Sequence, residues 1–394
     1  MRDADVIVIG GGVMGCSTAW HLREDGVTGR IVVIERDPDD GRSSSMRAMG
    51  GIRQQFASAV NVALVRYSVR FWRAFDERMS DAGHVARANF RPRGYLFLAD
   101  DGNAASLEAR LARMRDARAR VERLEPAEVA RRWPGIATTD LRFALFGPED
   151  GYANPREVLR GFRAAARARG VEFVTAEATA IERRGGQVSG VRLAADAVID
   201  SAVVVIAAGA WSAAIARSVG IELPIAPQRQ HLFRAALAEP WPYRFPMTVD
   251  PTGVHWRHED DDRGSDRDVV IVARTRADEP VGECMEPDLS RWASEFLPPM
   301  ARRAPGLASV ELLEGWAGFY EVTPDHNPLL GAHPALGGLH VAAGFSGHGL
   351  MMSPAVGKVM SEIVRLGRAE LTDVSMLAPD RFDRGAPFED GAMI

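Results

Sequence analysis

The apolar positions of this chain follow two rhythms. Residues 5–9 (DVIVI) and 30–35 (RIVVIE) are short, β-branched runs, closed by glycines and by an acidic residue respectively. Such runs predict strands buried on both faces. Residues 13–23 between them read as a helix, and strand, helix and strand together require a parallel sheet. Residues 59–80 predict a helix, with Val62, Val65, Val69, Trp72 and Phe75 at three- and four-residue spacing. Residues 107–133 are arginine-rich and amphipathic. Glu108, Asp116, Glu122, Glu125 and Glu128 interleave the arginines, which makes this a solvated helical face rather than a nucleic-acid surface. Residues 154–170 read as a helix with proline in its first turn. Residues 171–174 (VEFV) and 203–206 (VVVI) read as strands, the second running into AAGAWS.

The pattern changes over residues 226–313. Aromatics, prolines and acidic turns appear (WPYRFP, HEDDDRGSD), with short strands such as 269–273. From residue 339 the small-residue, parallel-sheet character returns (LHVAAGFSGHG), followed by a helix over 354–366. The expected fold is α/β: a Rossmann-like dinucleotide domain, discontinuous in sequence, plus a smaller α+β substrate domain on an antiparallel or mixed sheet. The first domain is assigned 1–83, 150–225 and 314–380, the second 84–149 and 226–313. Residues 381–394 are expected to be a carboxy-terminal tail.

Composition narrows the chemistry. The net charge of −5 points to no general affinity for nucleic acid or an anionic membrane. Lys358 is the only lysine, so a step needing a lysine amine has one candidate. The two cysteines, Cys16 and Cys284, are too few for a disulfide framework. No basic segment with an apolar signal core opens the chain, and no apolar run reaches the roughly 20 residues of a membrane span. A reducing, cytoplasmic compartment is expected.

Gly10, Gly12 and Gly15 form GxGxxG between the first strand and helix. The first glycine makes a tight turn, the second lets backbone approach a pyrophosphate, and the third lets helix and strand pack closely. Val13 and Met14 open the helix, whose unpaired N–H groups suit phosphates. Glu35, ending the next strand with Arg36 after it, can bind both ribose hydroxyls and repel a 2′-phosphate. This pattern serves NAD and FAD alike. HWRHE (His255, His258 and Glu259) is not HExxH, and no metal is expected. GFSGHG is not a hydrolase elbow, because His348 stands where that motif needs glycine.

Four stretches together resemble the sarcosine oxidase and D-amino-acid oxidase superfamily of flavoproteins: DVIVIGGGVMG with Glu35, SSSMRAMGGIRQQF, VVVIAAGAWS, and GFYEVTPDHNPLLG followed by HVAAGFSGHGLMMSPAVG. They keep the family's order from residue 5 to about 358. The nearest flavour is the branch of dimethylglycine and sarcosine dehydrogenases, flavin subunits of proline dehydrogenases, and a respiratory-complex assembly factor. The resemblance implies FAD. It implies cofactor contacts from Ser44, Ser45, Gly50, Gly51, Ala208, Gly209, Trp211 and Gly318. It adds the loop Gly344, Phe345, Ser346, Gly347, His348 and Gly349 with Leu350 and Met351, whose N–H groups would face the flavin ring.

The same resemblance implies oxidation of a C–N bond in a small secondary or N-methylated amino acid or related amine. The substrate would bind as the neutral amine, pass a hydride to the flavin, and leave an imine for water to hydrolyse. Arg53, in IRQQF, stands where the family binds the substrate carboxylate. Tyr320, His348, His255 and Trp256 are the other substrate-side candidates. Three departures matter. Gly318 replaces the cysteine that links covalently to flavin in monomeric sarcosine oxidases, so a non-covalent cofactor is expected. Met351 and Ile271 replace two lysines of those enzymes, one binding carboxylate and one activating oxygen. A dehydrogenase with an unknown electron acceptor, and a possible partner subunit, fits better than a fast oxidase. A 2-hydroxy-acid oxidoreductase, a non-enzymatic flavin-containing assembly factor and a nicotinamide-only dehydrogenase stay open.

Overall fold

The computed structural model describes residues 3–36, 39, 41–81, 83–260, 267–276 and 278–388. Its first layer is a six-stranded sheet in the order Leu329–Ala332, Leu339–Ala343, Val204–Ile206, Val6–Ile9, Ile31–Glu35 and Glu172–Thr175. All neighbours are parallel except the first pair. Ile9 sits opposite both Ile34 and Ile206. Successive residues of a strand face opposite sides, so Val6 and Val8 enter one apolar cluster while Ile7 and Ile9 enter another. Both faces of the central strands are covered, which is why Val6–Ile9 and Val204–Ile206 are apolar throughout.

Two helices of this layer set the site. Val13–Glu24 and Gly349–Leu366 pack so closely that a Cβ on Gly357 would stand 2.3 Å from Ser17 Oγ. The Ser17 hydroxyl donates to the Ser353 carbonyl at 2.7 Å. Both helices begin at the carboxyl ends of parallel strands, where α/β folds place their ligands.

The second layer is an eight-stranded sheet: Glu311–Val322, Ala226–Ala236, Val269–Arg274, Val254–His258, Met247–Val249, Tyr95–Ala99, Phe143–Gly147 and Glu122–Leu124. Only Met247–Val249 with Tyr95–Ala99 is a parallel pair. A three-stranded meander, Ala178–Arg184, Gln187–Leu193 and Val198–Asp200, adds a flank that the apolar pattern did not signal.

The structure differs from the expected elements at five places. The helix over 59–80 is broken into Ala59–Arg73 and Phe75–Met79. The stretch 107–133 is Ala104–Asp116, the strand Glu122–Leu124 and Pro126–Arg132, because Leu124 is needed in the sheet. The late helix begins at Gly349, with Pro354 inside it. Residues 314–322, assigned to the dinucleotide domain, belong to a strand paired along its length with Ala226–Ala236. Residues from 381, expected as a carboxy-terminal tail, begin packed on the body of the protein: Arg381 is buried against Asp325 at 2.7 Å, and the Phe388 N–H donates to the same carboxylate at 2.9 Å. Most of the acidic turn after His258, residues 261–266, lies outside the described residues.

Candidate functional site

A cavity of about 470 Å³ runs between the two large sheets. One end holds the glycine turn and the acidic residue singled out from the sequence. Gly10 has φ +105°, and a Cβ there would stand 2.4 Å from the Ala207 carbonyl oxygen. A Cβ on Gly15 would stand 1.9 Å from the Gly10 carbonyl. Only glycine satisfies both positions. The Glu35 carboxylate accepts the Gly11 N–H at 2.7 Å, which holds it against the turn. The Val13 N–H donates to Ser45 Oγ at 3.0 Å, and Ser44 Oγ donates to the Phe319 carbonyl at 2.8 Å. These bonds tie residues 43–47 across the cavity. Arg36 stacks 4.4 Å over Trp211, and Arg42 and Arg47 line the same wall.

Neither Val13–Glu24 nor Gly349–Leu366 has a side-chain cap at its start, and both starts line the cavity. Two helix amino termini therefore point partial positive charge into one space. Glycines without room for a Cβ, a carboxylate beside the turn, and these helix starts fit a dinucleotide the size of FAD.

At the other end Arg53 is buried at 1% exposure. Its Nη1 donates to the Gln55 carbonyl at 2.6 Å, and its guanidinium lies 4.4 Å over Phe56. Its Nη2 stands 2.9 Å from His348 Nε2. A guanidinium only donates, so His348 Nε2 accepts and the ring hydrogen is on Nδ1. Burial, then the nearby Arg53 charge, hold His348 well below the usual imidazole range, so it is neutral. Burial raises the phenols of Tyr95 and Tyr320, so both stay protonated donors. Glu321 accepts the Gly344 N–H at 3.0 Å, and burial pushes its carboxyl up to about 7.

The cavity brings together most residues singled out from sequence. Gly12, Met14, Gly50, Gly51, Ala208, Gly209, Gly318, Tyr320, Phe345, Ser346, Gly347, Leu350, Met351 and His255 line it, along with those named above. Three do not. Trp256 is fully buried in the cluster of Phe233, Phe245 and Trp292, because alternation along Val254–His258 turns it away from His255. Gly15 supports the turn from behind. Gly344 gives its N–H to Glu321 rather than to the cavity. His258 accepts the Phe245 N–H at 2.9 Å, and no group of His, Cys, Asp or Glu among the described residues could hold a metal ion. Sequence reading missed Tyr95, Gln230, Met247 and Glu321, and also residues 176–179. The last follow a parallel strand's carboxyl end, a position that could have signalled them.

Comparison with known proteins places this geometry. The chain matches the family described as DAO, FAD dependent oxidoreductase, over residues 5–363. It is 31% identical to FAD-dependent oxidoreductase domain-containing protein 1 of Xenopus laevis, across 96% of this chain and 82% of that one. Monomeric sarcosine oxidase from an Arthrobacter strain is 24% identical, across 96% and 97% of the two chains. The crystal structure of L-proline dehydrogenase from P. horikoshii has a TM-score of 0.87 at 28% identity, covering 98% of this chain and 100% of that one. Glycine oxidase from Geobacillus kaustophilus, at TM-score 0.83 and 22% identity over 96% and 99%, shares the fold.

Proposed function

The chain belongs to the DAO family of FAD-dependent oxidoreductases, and from that premise we propose that it oxidises a C–N bond in a small secondary or N-methylated amino acid. The observation that carries this reading is Arg53, a buried cation in the wall of the cavity, beside neutral His348. A guanidinium grips a carboxylate through two parallel hydrogen bonds, fixing its position and orientation. The solved L-proline dehydrogenase and the curated sarcosine oxidase, both similar along nearly the whole chain, are named for secondary amino acids.

The glycine turn, Glu35, Ser45 and the two helix starts would hold FAD, which when bound supplies the two-electron acceptor. The chain's own work is binding and orientation. Arg53 takes the carboxylate, His348 keeps the guanidinium fork in place, and Tyr95 and Tyr320 narrow the space around the carbon to be oxidised. A 2-hydroxy acid would present the same carboxylate to Arg53. Gly318 lies against Arg47, with a Cβ position 3.0 Å from Arg47 Cβ, and offers no thiol for a covalent link. The cofactor is therefore held non-covalently. With Ile271 and Met351 where the monomeric oxidases carry lysines, an acceptor other than oxygen takes the electrons.

The test is anaerobic mixing of the purified yellow protein with secondary amino acids, primary amino acids and 2-hydroxy acids. Secondary or N-methylated amino acids are expected to bleach the flavin fastest, and acid precipitation to leave the colour in solution. Bleaching by 2-hydroxy acids alone, or by none of the panel, would sink the reading.

A further inference from the structure

His255 stands on Val254–His258 with its ring in the cavity wall, at 5% exposure. Its Nδ1 lies 3.0 Å from the Gly253 carbonyl oxygen. A carbonyl only accepts, so Nδ1 carries the hydrogen and Nε2 holds the lone pair. Among the described residues the Gly253 contact is the ring's one hydrogen bond, which leaves Nε2 unpaired. The ring is thus fixed in one tautomer, buried, and left with an acceptor atom facing the ligand space.

The groups around it are few. Paired strands set Ala273 and Val249 opposite His255. The charged group that acts on it is Arg53, and Tyr95 and Tyr320 add neutral phenols from the same cavity. Burial, followed by the Arg53 charge, lowers the imidazole to about 4 against the favourable Gly253 bond, so it is unprotonated when a ligand arrives.

We propose that the cavity takes its substrate as the ammonium carboxylate, and that His255 Nε2 accepts the proton from the substrate amine. The proposal rests on the amino-acid reading above and replaces the expectation that the free amine binds from solution. In this step one N–H bond breaks, its electron pair stays on the substrate nitrogen, and the proton moves to Nε2. The imidazolium keeps its Nδ1–H on Gly253, and no oxidation state changes. Burial is the main cause of the lowered imidazole and persists in the complex; a carboxylate on Arg53 offsets the smaller effect of the guanidinium charge, so the base gains strength when the substrate is correctly seated. A lone pair on the nitrogen is what C–N oxidation requires, so the same contact selects amines over carboxylates that lack one.

The test is stopped-flow anaerobic flavin reduction of the holoprotein by N-methylglycine and by proline, from pH 6 to 9, for wild type, H255Q and H255N. With His255 as acceptor the proton stays within the complex, so the wild-type second-order rate constant is flat over this range. In both variants the proton must leave first, so the rate constant rises about tenfold per pH unit toward the amine pKa. Propionate, which has no amine, is expected to perturb the flavin spectrum with the same Kd in all three proteins. A flat profile in H255Q and H255N, or a tenfold-per-unit slope already in wild type, overturns the role of His255 alone. Propionate binding without reduction by any amino acid overturns the amino-acid reading, and His255's role with it.

Discussion

Arg53 shows how little a single side chain's role can be read from its type. The chain is rich in arginine, and most pairs lie at the surface, as in Arg131 with Glu128 or Arg142 with Asp101. Such pairs contribute little. Arg53 differs because the backbone after Gly51 carries it inward, between Phe56 and His348. Arg53→Ala is expected to raise the apparent KM for an amino-acid substrate by about 2–4 kcal/mol of lost binding. Arg53→Lys should recover part of it, since an ammonium lacks the fork. Steady-state kinetics with the best substrate of the panel check this, and near-normal KM in both variants would remove Arg53 from carboxylate binding. His255 and Trp256 make the complementary point. They are neighbours in sequence, yet period-two alternation sends one to the cavity and the other to an apolar core.

Among the elements, the late helix explains its own misreading. Proline is favoured in a first turn, so a start at 354 was the natural expectation. Pro354 instead sits in the sixth position and cannot donate to the Leu350 carbonyl. The Ser353 hydroxyl donates there at 2.9 Å, which lets the helix continue back to Gly349 and present its start to the cavity. The loop feeding this helix is held from outside by residues beyond 380. Arg381 makes two bonds to Asp325, at 2.7 and 2.8 Å, and both side chains are 1% exposed. Thr323 and Asn327 hang on the same carboxylate, and the Thr323 N–H donates to Ser346 Oγ of the GFSGHG loop at 3.2 Å. Arg381→Ala leaves a buried carboxylate without its cation and is expected to cost about 3–5 kcal/mol of stability. Chemical denaturation measures it. A loss below about 1 kcal/mol, in the range of surface pairs, would show that the segment is dispensable.

Over the whole molecule, buried titratable groups set opposing pH dependences. Burial holds His21 near about 3 and His255, His258 and His340 near about 4, all below the ordinary imidazole value. The unfolded chain takes up those protons first, so stability from these groups is present above about pH 6.5 and falls as pH drops toward 4. Asp150 runs the other way. Burial raises it to about 7, against bonds from Gln54 and Gln55. The folded state keeps a proton the unfolded state has released, so its contribution is lost as pH rises from about 4 to 7. Asp150→Asn is neutral at every pH. Its Tm advantage over wild type, measured on the FAD-free protein, is therefore expected to grow from pH 4 to 7 and then level. A difference independent of pH would contradict the burial argument. Among the described residues no helix is long and apolar enough to cross a membrane.

The end of the cavity proposed for the nucleotide was legible because the chemistry that suggests it is local. A tight turn, a helix start and a carboxylate after the next strand lie within Gly10 to Glu35, and backbone geometry forces glycine at Gly10 and Gly15 whatever the rest of the chain does. The alternation of buried strands and helices likewise announced the parallel sheet. The other end of the cavity, proposed for the substrate, was not legible apart from the positions a family likeness supplied. Tyr95, Gln230 and Met247 come from distant strands, and nothing in their neighbours distinguishes them from ordinary sheet residues. Only the packing of the two large sheets placed them together, because a cavity is a property of facing surfaces and strand alternation alone does not say which surface will face it.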